Sequence, residues 1–133
     1  MEIPKDVRRF LEKPNVAVLA TVSPRGRPQA TPVWFMLEDG QVLINTSAGR
    51  VKLRNMEANP NVALTIVDPD NIYTYVQIRG RVVRFDRENG ARDIDRLSMR
   101  YHGRPYRYMP ADAPEKRVSL LIRPRTISNL RRR

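Results

Sequence analysis

The sequence predicts a mainly β domain with helices, of the α+β class, in which six strands form a small closed or half-closed barrel. Short apolar segments rich in β-branched residues recur between turn sequences, which is typical of antiparallel strands. Helical patterns fall between groups of strands rather than after every strand, which argues against a doubly wound sheet. The chain has 133 residues, so we expect one domain that spans residues 1–133.

The first half of the chain is predicted to contain one helix and a three-stranded meander. Residues 4–13 place Val7, Phe10 and Leu11 at helical spacing, with a proline that the first turn of a helix tolerates. Pro32 indicates a bulge or an edge position in the second strand. The three strands are predicted at residues 15–22, 27–37 and 41–46.

The second half is predicted to contain two helices and three further strands. The first helix, within residues 49–60, carries Leu53 and Met56 on one face, and the second covers residues 88–101. Gly80 indicates a bulge or bend within a long strand. The strands are predicted at residues 61–67, 73–85 and 117–124, a proline-rich loop at 102–114 and a frayed basic tail at 129–133.

Charge and composition restrict the compartment and the partners. The excess of 25 Lys and Arg over 14 Asp and Glu gives a net charge of +11, which favours anionic partners such as phosphate groups, nucleic acid or an anionic surface. The absence of cysteine excludes disulfides and thiolate metal sites. The sequence has no signal-peptide apolar region and no apolar run of about 18 residues, so we expect a cytoplasmic protein without a membrane span.

The segment from Ile44 to Pro60, INTSAGRVKLRNMEANP, predicts a site for an anion. A strand ends there, a loop with hydroxyl groups and Gly49 follows, and the unpaired N–H groups of the next helix point towards that loop. Helix geometry places Arg50 and Arg54 on one face and Lys52 on roughly the opposite side, so we do not expect all three to contact one ion. A solvated cationic surface is the alternative interpretation.

Few other residues carry recognisable chemistry. The single histidine, His102, has no nearby serine or acid that indicates a catalytic triad, and one histidine without cysteine argues against a transition-metal site. The glycine-rich dinucleotide and P-loop fingerprints are absent. We therefore assign no catalytic residue and expect that any catalysis depends on a bound organic cofactor.

Several motifs occur in a fixed order between residues 14 and 85. They are A-T-x-x-x-x-G-x-P-x-x-x-P-V-W-F, then K-x-R-N-x-x-x-N-P, then D-P and Y-x-x-x-x-G. In this combination the chain resembles the split β-barrel superfamily of pyridoxamine 5′-phosphate oxidase and the flavin and deazaflavin oxidoreductases, in particular the coenzyme F420-dependent reductases. The closing segment RVSLLIRPRTI also resembles the last strand of that family. The resemblance implies a six-stranded, homodimeric split β-barrel like that of FMN-binding proteins.

The resemblance also implies an F420H₂-dependent oxidoreductase that transfers a hydride to a conjugated or quinone-like small molecule. Its cofactor sites would lie at the subunit interface of the homodimer. The basic loop and helix would hold the phosphate with Thr46, Ser47, Arg50, Lys52, Arg54 and Asn55. The strand ATPVW would lie against the ring with Thr31, Pro32, Val33 and Trp34. The neighbouring subunit would contribute Tyr73, Tyr75 and Gln77.

Three alternatives to an F420-dependent enzyme are open. The same fold would suit an oxidase or reductase that uses FMN, whose phosphate monoester asks for a tighter cradle than the phosphodiester and charged tail of F420. It would also suit a cofactor carrier without turnover. A basic barrel that binds nucleic acid, with Trp34, Tyr73 and Tyr75 stacking on bases, fits the charge but not the order of the motifs. The loop at 102–114 has no counterpart in the resemblance, and we expect it to affect substrate choice.

Overall fold

Seven strands of the computed structural model, which describes residues 2–130, form one antiparallel sheet. The strands are β1 (Ala17–Val22), β2 (Pro28–Val33), β3 (Met36–Glu38), β4 (Gln41–Ser47), β5 (Asn61–Asp68), β6 (Asn71–Asp86) and β7 (Arg117–Leu130). The helices are α1 (Lys5–Leu11), α2 (Val51–Ala58) and α3 (Gly90–His102), and a short 3₁₀ turn covers Pro114–Lys116. The strand order is β2-β1-β5-β6-β7-β4-β3, which confirms a mainly β fold of the α+β class.

The predicted second strand is in fact two strands, so the predictions of six strands and of a three-stranded meander are wrong. β2 pairs with β1, whereas β3 pairs with β4 at the other edge of the sheet. Between them, the N–H of Phe35 donates to Tyr101 Oη at 3.1 Å, and its carbonyl accepts from Arg100 Nε at 3.0 Å. Side chains of α3 thus satisfy the backbone groups that a continuous strand would pair. Pro32 lies on an edge strand, as predicted.

The sheet curls because its two edge strands are neighbours along the chain. β2 ends at Val33 and β3 begins at Met36. Three peptide units separate these residues, so their Cα atoms are at most about 11 Å apart. The opposite edges of a seven-stranded sheet approach this closely only when the sheet bends round into a barrel. The barrel that the sequence predicted therefore follows from the strand order.

The pairing of the long strands β6 and β7 shifts register at two points. Gly80 lies at one of these shifts, which confirms the predicted irregularity there, and a Cβ at Gly80 would stand 2.7 Å from the carbonyl oxygen of Arg123. β7 runs beyond its predicted end because Pro124, which has no N–H, lies at the same irregularity. It reaches Leu130, so the first two residues of the predicted basic tail belong to the sheet. Residues 131–133 fall outside the described part of the chain.

The helices lie within two residues of their predicted bounds. Val7 of α1 and Leu53 and Met56 of α2 are buried in the main core, which matches their predicted apolar faces. α3 packs over β7, and its start lies so close to Arg117 that a Cβ on Gly90 would collide with the backbone there. Within residues 2–130, no helix is long and apolar enough to cross a membrane.

Candidate functional site

A cleft of about 390 Å³ opens at the end of the barrel where β2 and β4 finish and where α2 and β7 begin. Its walls are mainly apolar and aromatic, and its polar residues include three cations. The apolar and aromatic lining consists of Val16, Pro32, Val33, Trp34, Ile94, Leu97 and Tyr106, and the polar lining of Asn45, Thr46, Arg50, Lys52 and Arg117. Clefts of this size with a few convergent polar groups are typical of sites for small ligands.

Six of the predicted cofactor-binding residues line this cleft. β2 and β4 are separated by four strands in the sheet order, so only the curling of the barrel brings their ends to one cleft. The structure therefore assembles part of the ring group and part of the phosphate group of the predicted residues, although cofactor binding itself stays a prediction. These six residues are Pro32, Val33, Trp34, Thr46, Arg50 and Lys52.

The predicted geometry of the three cations of the basic segment needs correction. Arg50 precedes α2 in an extended conformation, with φ −74° and ψ 142°, so it does not share a helical face with Arg54. Arg50 and Lys52 line the cleft together, while Arg54 is exposed and is not part of the lining. Helical spacing does not apply to Arg50, because the backbone there is extended and α2 begins only at Val51.

The ammonium group of Lys52 lies in a cationic environment. Burial lowers its pKa below the usual 10.5, and the charges of Arg50 and Arg117 lower the pKa further. A bound anion would offset both the lost solvation and the repulsion between these like charges. The electrostatics of the cleft therefore favour an anionic ligand beside Lys52.

Arg117, which the sequence analysis did not identify as a site residue, is the most buried cation of the cleft. It is only 6% exposed. Its Nη1 donates to Asp112 Oδ2 at 2.9 Å, and its Nε donates to Asn45 Oδ1 at 2.8 Å. The guanidinium also lies 5.1 Å from the centre of the Tyr106 ring. These contacts from a loop, a strand and an aromatic ring fix the plane of the guanidinium.

Asp112 joins the loop after α3 to this network. Its Oδ1 accepts from Ser47 Oγ at 2.7 Å, so Ser47, a predicted phosphate ligand, is bonded to the loop instead. Burial alone would raise the pKa of Asp112, but hydrogen bonds from Ser47 and from the N–H of Ala113, together with Arg117, hold the pKa below its usual value. Asp112 is therefore ionised at neutral pH and stays paired with Arg117.

Trp34 forms the aromatic wall of the cleft. Its ring stacks on Tyr101 with a centroid separation of 5.3 Å and an interplanar angle of 13°. His102 meets the indole edge-on at 5.0 Å, and Tyr106 does so at 6.3 Å. These contacts hold the indole in place, and they give His102 a packing partner within the cluster. The loop at 102–114 reaches the cleft through Tyr106, whose N–H is anchored on Asp95 Oδ1 at 2.9 Å.

Seven predicted residues do not line the cleft. Asn55 is buried, and its Nδ2 donates to Thr21 Oγ1 at 3.0 Å, so in this chain it ties α2 to β1. Thr31 shares a strand face with Val33 and is the one described residue with a buried side-chain polar atom, Oγ1, that lacks a hydrogen-bond partner. Because that hydroxyl is buried and lies outside the cleft lining, the structure does not present it to a ligand in this cleft. The seven are Thr31, Ser47, Arg54, Asn55, Tyr73, Tyr75 and Gln77.

The three residues expected from a neighbouring subunit lie on a different part of the sheet. Tyr75 pairs with Val67 and Gln77 with Thr65 in the ladder between β5 and β6. Tyr73 is 53% exposed. None of the three lines the cleft that contains Trp34, so this cleft does not combine Trp34 with Tyr73 and Tyr75 as the nucleic-acid alternative expected.

The residues that the sequence analysis missed belong to elements distant in sequence. Arg117 is a cation at the start of an otherwise apolar strand, and Asp112 is an acid in a proline-rich loop, so neither gave a motif. Tyr106 lies in the loop that we expected to affect substrate choice, and that expectation is the only indication in the sequence that the loop contributes to the site. The hydrogen bond between Asn45 and Arg117, for example, joins residues that are 72 positions apart.

Comparison with known proteins places the cleft in a family context. The family described as pyridoxamine 5′-phosphate oxidase matches residues 3–131. A pyridoxine/pyridoxamine 5′-phosphate oxidase from Rubrobacter xylanophilus is 42% identical over 59 residues, which are 44% of this chain and 27% of that protein. The match thus spans about a quarter of the length of that relative.

Two solved structures are similar over almost the whole chain. One, described as an F420 reductase, is 35% identical and has a TM-score of 0.84, with 95% of this chain and 98% of that chain covered. A conserved hypothetical protein from Mycobacterium tuberculosis is 24% identical and has a TM-score of 0.74, with 98% of this chain and 85% of that chain covered. The second similarity shows the fold alone. Together they support a split β-barrel of the expected superfamily.

Proposed function

This chain belongs to the pyridoxamine 5′-phosphate oxidase family, and from that premise we propose that it is an oxidoreductase that uses coenzyme F420. The reduced cofactor would supply a hydride to a conjugated or quinone-like small molecule. The observation that carries the proposal is a single cleft lined both by apolar and aromatic residues and by three cations. This combination matches a ligand with a flat ring system and an anionic tail.

Each group of lining residues has a defined task in this proposal. Pro32, Val33 and Trp34 would lie against the ring. Lys52 would bind the phosphate, with its pKa returning towards the usual value as the anion arrives. The chain then orients an acceptor against the ring and excludes water, which requires no acid or base from the protein.

The choice of F420 rests on similarity and on charge. The F420 reductase that resembles this chain is 35% identical to it over nearly the full length of both. In addition, Arg54 is exposed just outside the cleft, where it could follow a charged tail that continues beyond the phosphate. The tail of F420 is long and multiply charged, so it has use for a cation at that position.

FMN is the second candidate, and one observation favours it. Arg50 and Lys52, which the sequence placed on opposite sides of a helix, line one cleft together with Arg117. A compact group of cations suits the dianionic monoester at the end of FMN. A carrier that binds either cofactor without turnover would have the same cleft, and only an activity measurement separates it from an enzyme.

We also propose that the protein is a homodimer with the cofactor sites at the subunit interface. Val16, which directly precedes β1, is 47% exposed, and Val18 of β1 is 42% exposed. Pro28, Ala30 and Pro32 are exposed on the adjacent strand β2. Val16 and Pro32 also line the cleft, so this apolar face borders the site. Contiguous apolar surface of this kind favours coverage by another chain.

The cofactor proposal is tested by titrating the apo-protein with F420 and with FMN, for the wild type and for Lys52→Ala. We expect saturation at one cofactor per chain, tighter binding of F420 than of FMN, and at least about tenfold weaker binding for Lys52→Ala. Failure of both cofactors to bind at micromolar concentrations would refute the proposed function. Unchanged affinity in Lys52→Ala would refute the phosphate site. An oligonucleotide serves as the control ligand and should bind weakly, with a steep dependence on salt.

The dimer is tested by light scattering coupled to size-exclusion chromatography. Val18→Glu places a charge on the exposed apolar face without touching the lining of the cleft. We expect the wild type to elute as a dimer and the variant as a monomer with weakened cofactor binding. A monomeric wild type that binds cofactor fully would contradict the interface part of the proposal.

A further inference from the structure

One guanidinium nitrogen of Arg117, Nη2, has no hydrogen-bond acceptor among residues 2–130. Nε and Nη1 donate to Asn45 and Asp112. Nη2 is not fully buried either, since it is absent from the buried polar atoms that lack partners. Arg117 lines the cleft, and Nη2 is its one guanidinium nitrogen that is both accessible and without a partner among the described residues. An N–H group held in this way is a donor ready for an acceptor in the cleft.

The charges around Arg117 also call for an acceptor. The cleft lining contains three cations, Arg50, Lys52 and Arg117, and no acid. Asp112 pairs with Arg117, with both side chains less than a tenth exposed, and so balances one of the three charges. The remaining excess of positive charge is partly buried, which is unfavourable unless an anion binds.

We propose that Arg117 is an additional anion-binding residue of the cleft, and that Asp112 and Asn45 are the positioning residues that aim it. Nη2 donates to an oxygen of the anionic group that Lys52 also contacts, and the stacking on Tyr106 keeps the fork in one plane. The identification of that anion as the phosphate of a flavin or deazaflavin rests on the proposed function. The binding of a phosphate group as such does not.

The arrangement explains why arginine rather than lysine occupies this position. A guanidinium can use one edge to bond Asn45 and Asp112 and still present another nitrogen to the ligand, whereas an ammonium offers a single centre. It also couples the ligand to the loop after α3, because Asp112 holds Ser47 and Arg117 at once. The hydrogen bonds of Asp112 to Arg117 and Ser47 therefore also hold the loop that carries Tyr106.

The test measures the affinity for inorganic phosphate and for F420 in four proteins. These are the wild type, Arg117→Lys, Asp112→Asn and the matched control Arg9→Gln. Arg9 is exposed on α1 and does not line the cleft, so the control removes one positive charge without changing the site. Trp34 is the single tryptophan and lines the cleft, so its fluorescence reports binding of either ligand. Thermal unfolding establishes that each variant is folded.

The direction in which Asp112→Asn changes the phosphate affinity shows whether Asp112 positions Arg117 or only adds negative charge to the cleft. The substitution makes the cleft more positive, so attraction alone predicts tighter phosphate binding. If Asp112 aims Arg117, binding weakens, and we expect a loss of roughly tenfold, the effect of one charge-assisted hydrogen bond. Arg117→Lys keeps the positive charge but removes the planar guanidinium, and we expect a similar loss of phosphate affinity. Arg9→Gln should change the affinity less than about twofold.

The outcomes distinguish this inference from the proposed function. Tighter or unchanged phosphate binding in Asp112→Asn, or full affinity in Arg117→Lys, overturns the role of Arg117. If Asp112→Asn does not fold, Arg117→Lys alone decides. If phosphate binds and both substitutions weaken it while F420 and FMN do not bind, the anion site stands and the cofactor assignment fails.

Discussion

The hydroxyl of Tyr101 is predicted to contribute substantially to stability although it lies outside the core of the barrel. It accepts the N–H of Phe35 at 3.1 Å and donates to the carbonyl of Asn15 at 2.8 Å. Tyr101→Phe removes only this oxygen and keeps the ring that stacks on Trp34. Because Phe35 is fully buried, its N–H then has no acceptor among the described residues and no access to water.

An unpaired buried N–H group lowers the free energy of unfolding by about 1–3 kcal/mol. A chain of 133 residues unfolds with an entropy of about 0.28 kcal/mol per degree at its midpoint. We therefore expect the free energy of unfolding of Tyr101→Phe to fall by about 2 kcal/mol and its melting temperature by about 7 °C.

The assay is urea denaturation at fixed protein concentration, followed by the fluorescence of Trp34. The matched control is Tyr108→Phe, since the Tyr108 hydroxyl has no hydrogen bond to any of residues 2–130 that the structure records. The control should lose less than about 0.5 kcal/mol. Equal stability of Tyr101→Phe and Tyr108→Phe would refute the claim that the hydrogen bond from the Phe35 N–H to Tyr101 takes the place of a strand pairing.

Three further predictions follow from contacts of the cleft and of α3. Burial and neighbouring arginines lower the pKa of Lys52, so F420 affinity should fall as the pH rises through a range below 10.5; Lys52→Arg, which stays charged, should show a flat profile in the same titration. Gly90→Ala would drive a Cβ into the backbone of Arg117, so we expect urea denaturation to show a loss of about 3 kcal/mol together with weaker phosphate binding. Arg100 donates to three carbonyls at the end of α1 and to that of Phe35, so Arg100→Ala should lower the unfolding free energy by about 2–3 kcal/mol, and a loss under about 0.5 kcal/mol would contradict this role.

Local pattern was sufficient where a segment obtains its structure from its own neighbours. The helices containing Val7, Leu53 and Met56 follow from spacing that puts apolar residues on one face, and each is found within two residues of its prediction. The irregularity at Gly80 follows from a residue type that tolerates close backbone approach. Motif order also indicated the family, because that information is written along the chain.

Local pattern failed where distant side chains decide the outcome. The break between β2 and β3 depends on Tyr101 and Arg100, which lie 66 and 65 residues from Phe35 and satisfy its backbone. Nothing in the alternation of residues 27–37 shows that such partners exist. The position of Arg50 depends likewise on where the helix begins, and that is set by how the loop packs.

The class of fold, the family and the basic segment could thus be predicted from the order of residues alone, since they depend on periodicity, motif order and residue type. Which cations line one cleft depends instead on tertiary contacts. Curling of the barrel joins the ends of β2 and β4, and the loop after α3 then brings Asp112 to Arg117 and leaves Arg54 outside. The reason is that a binding site is made of side chains that are close in space, and their convergence depends on contacts between elements that lie far apart along the chain.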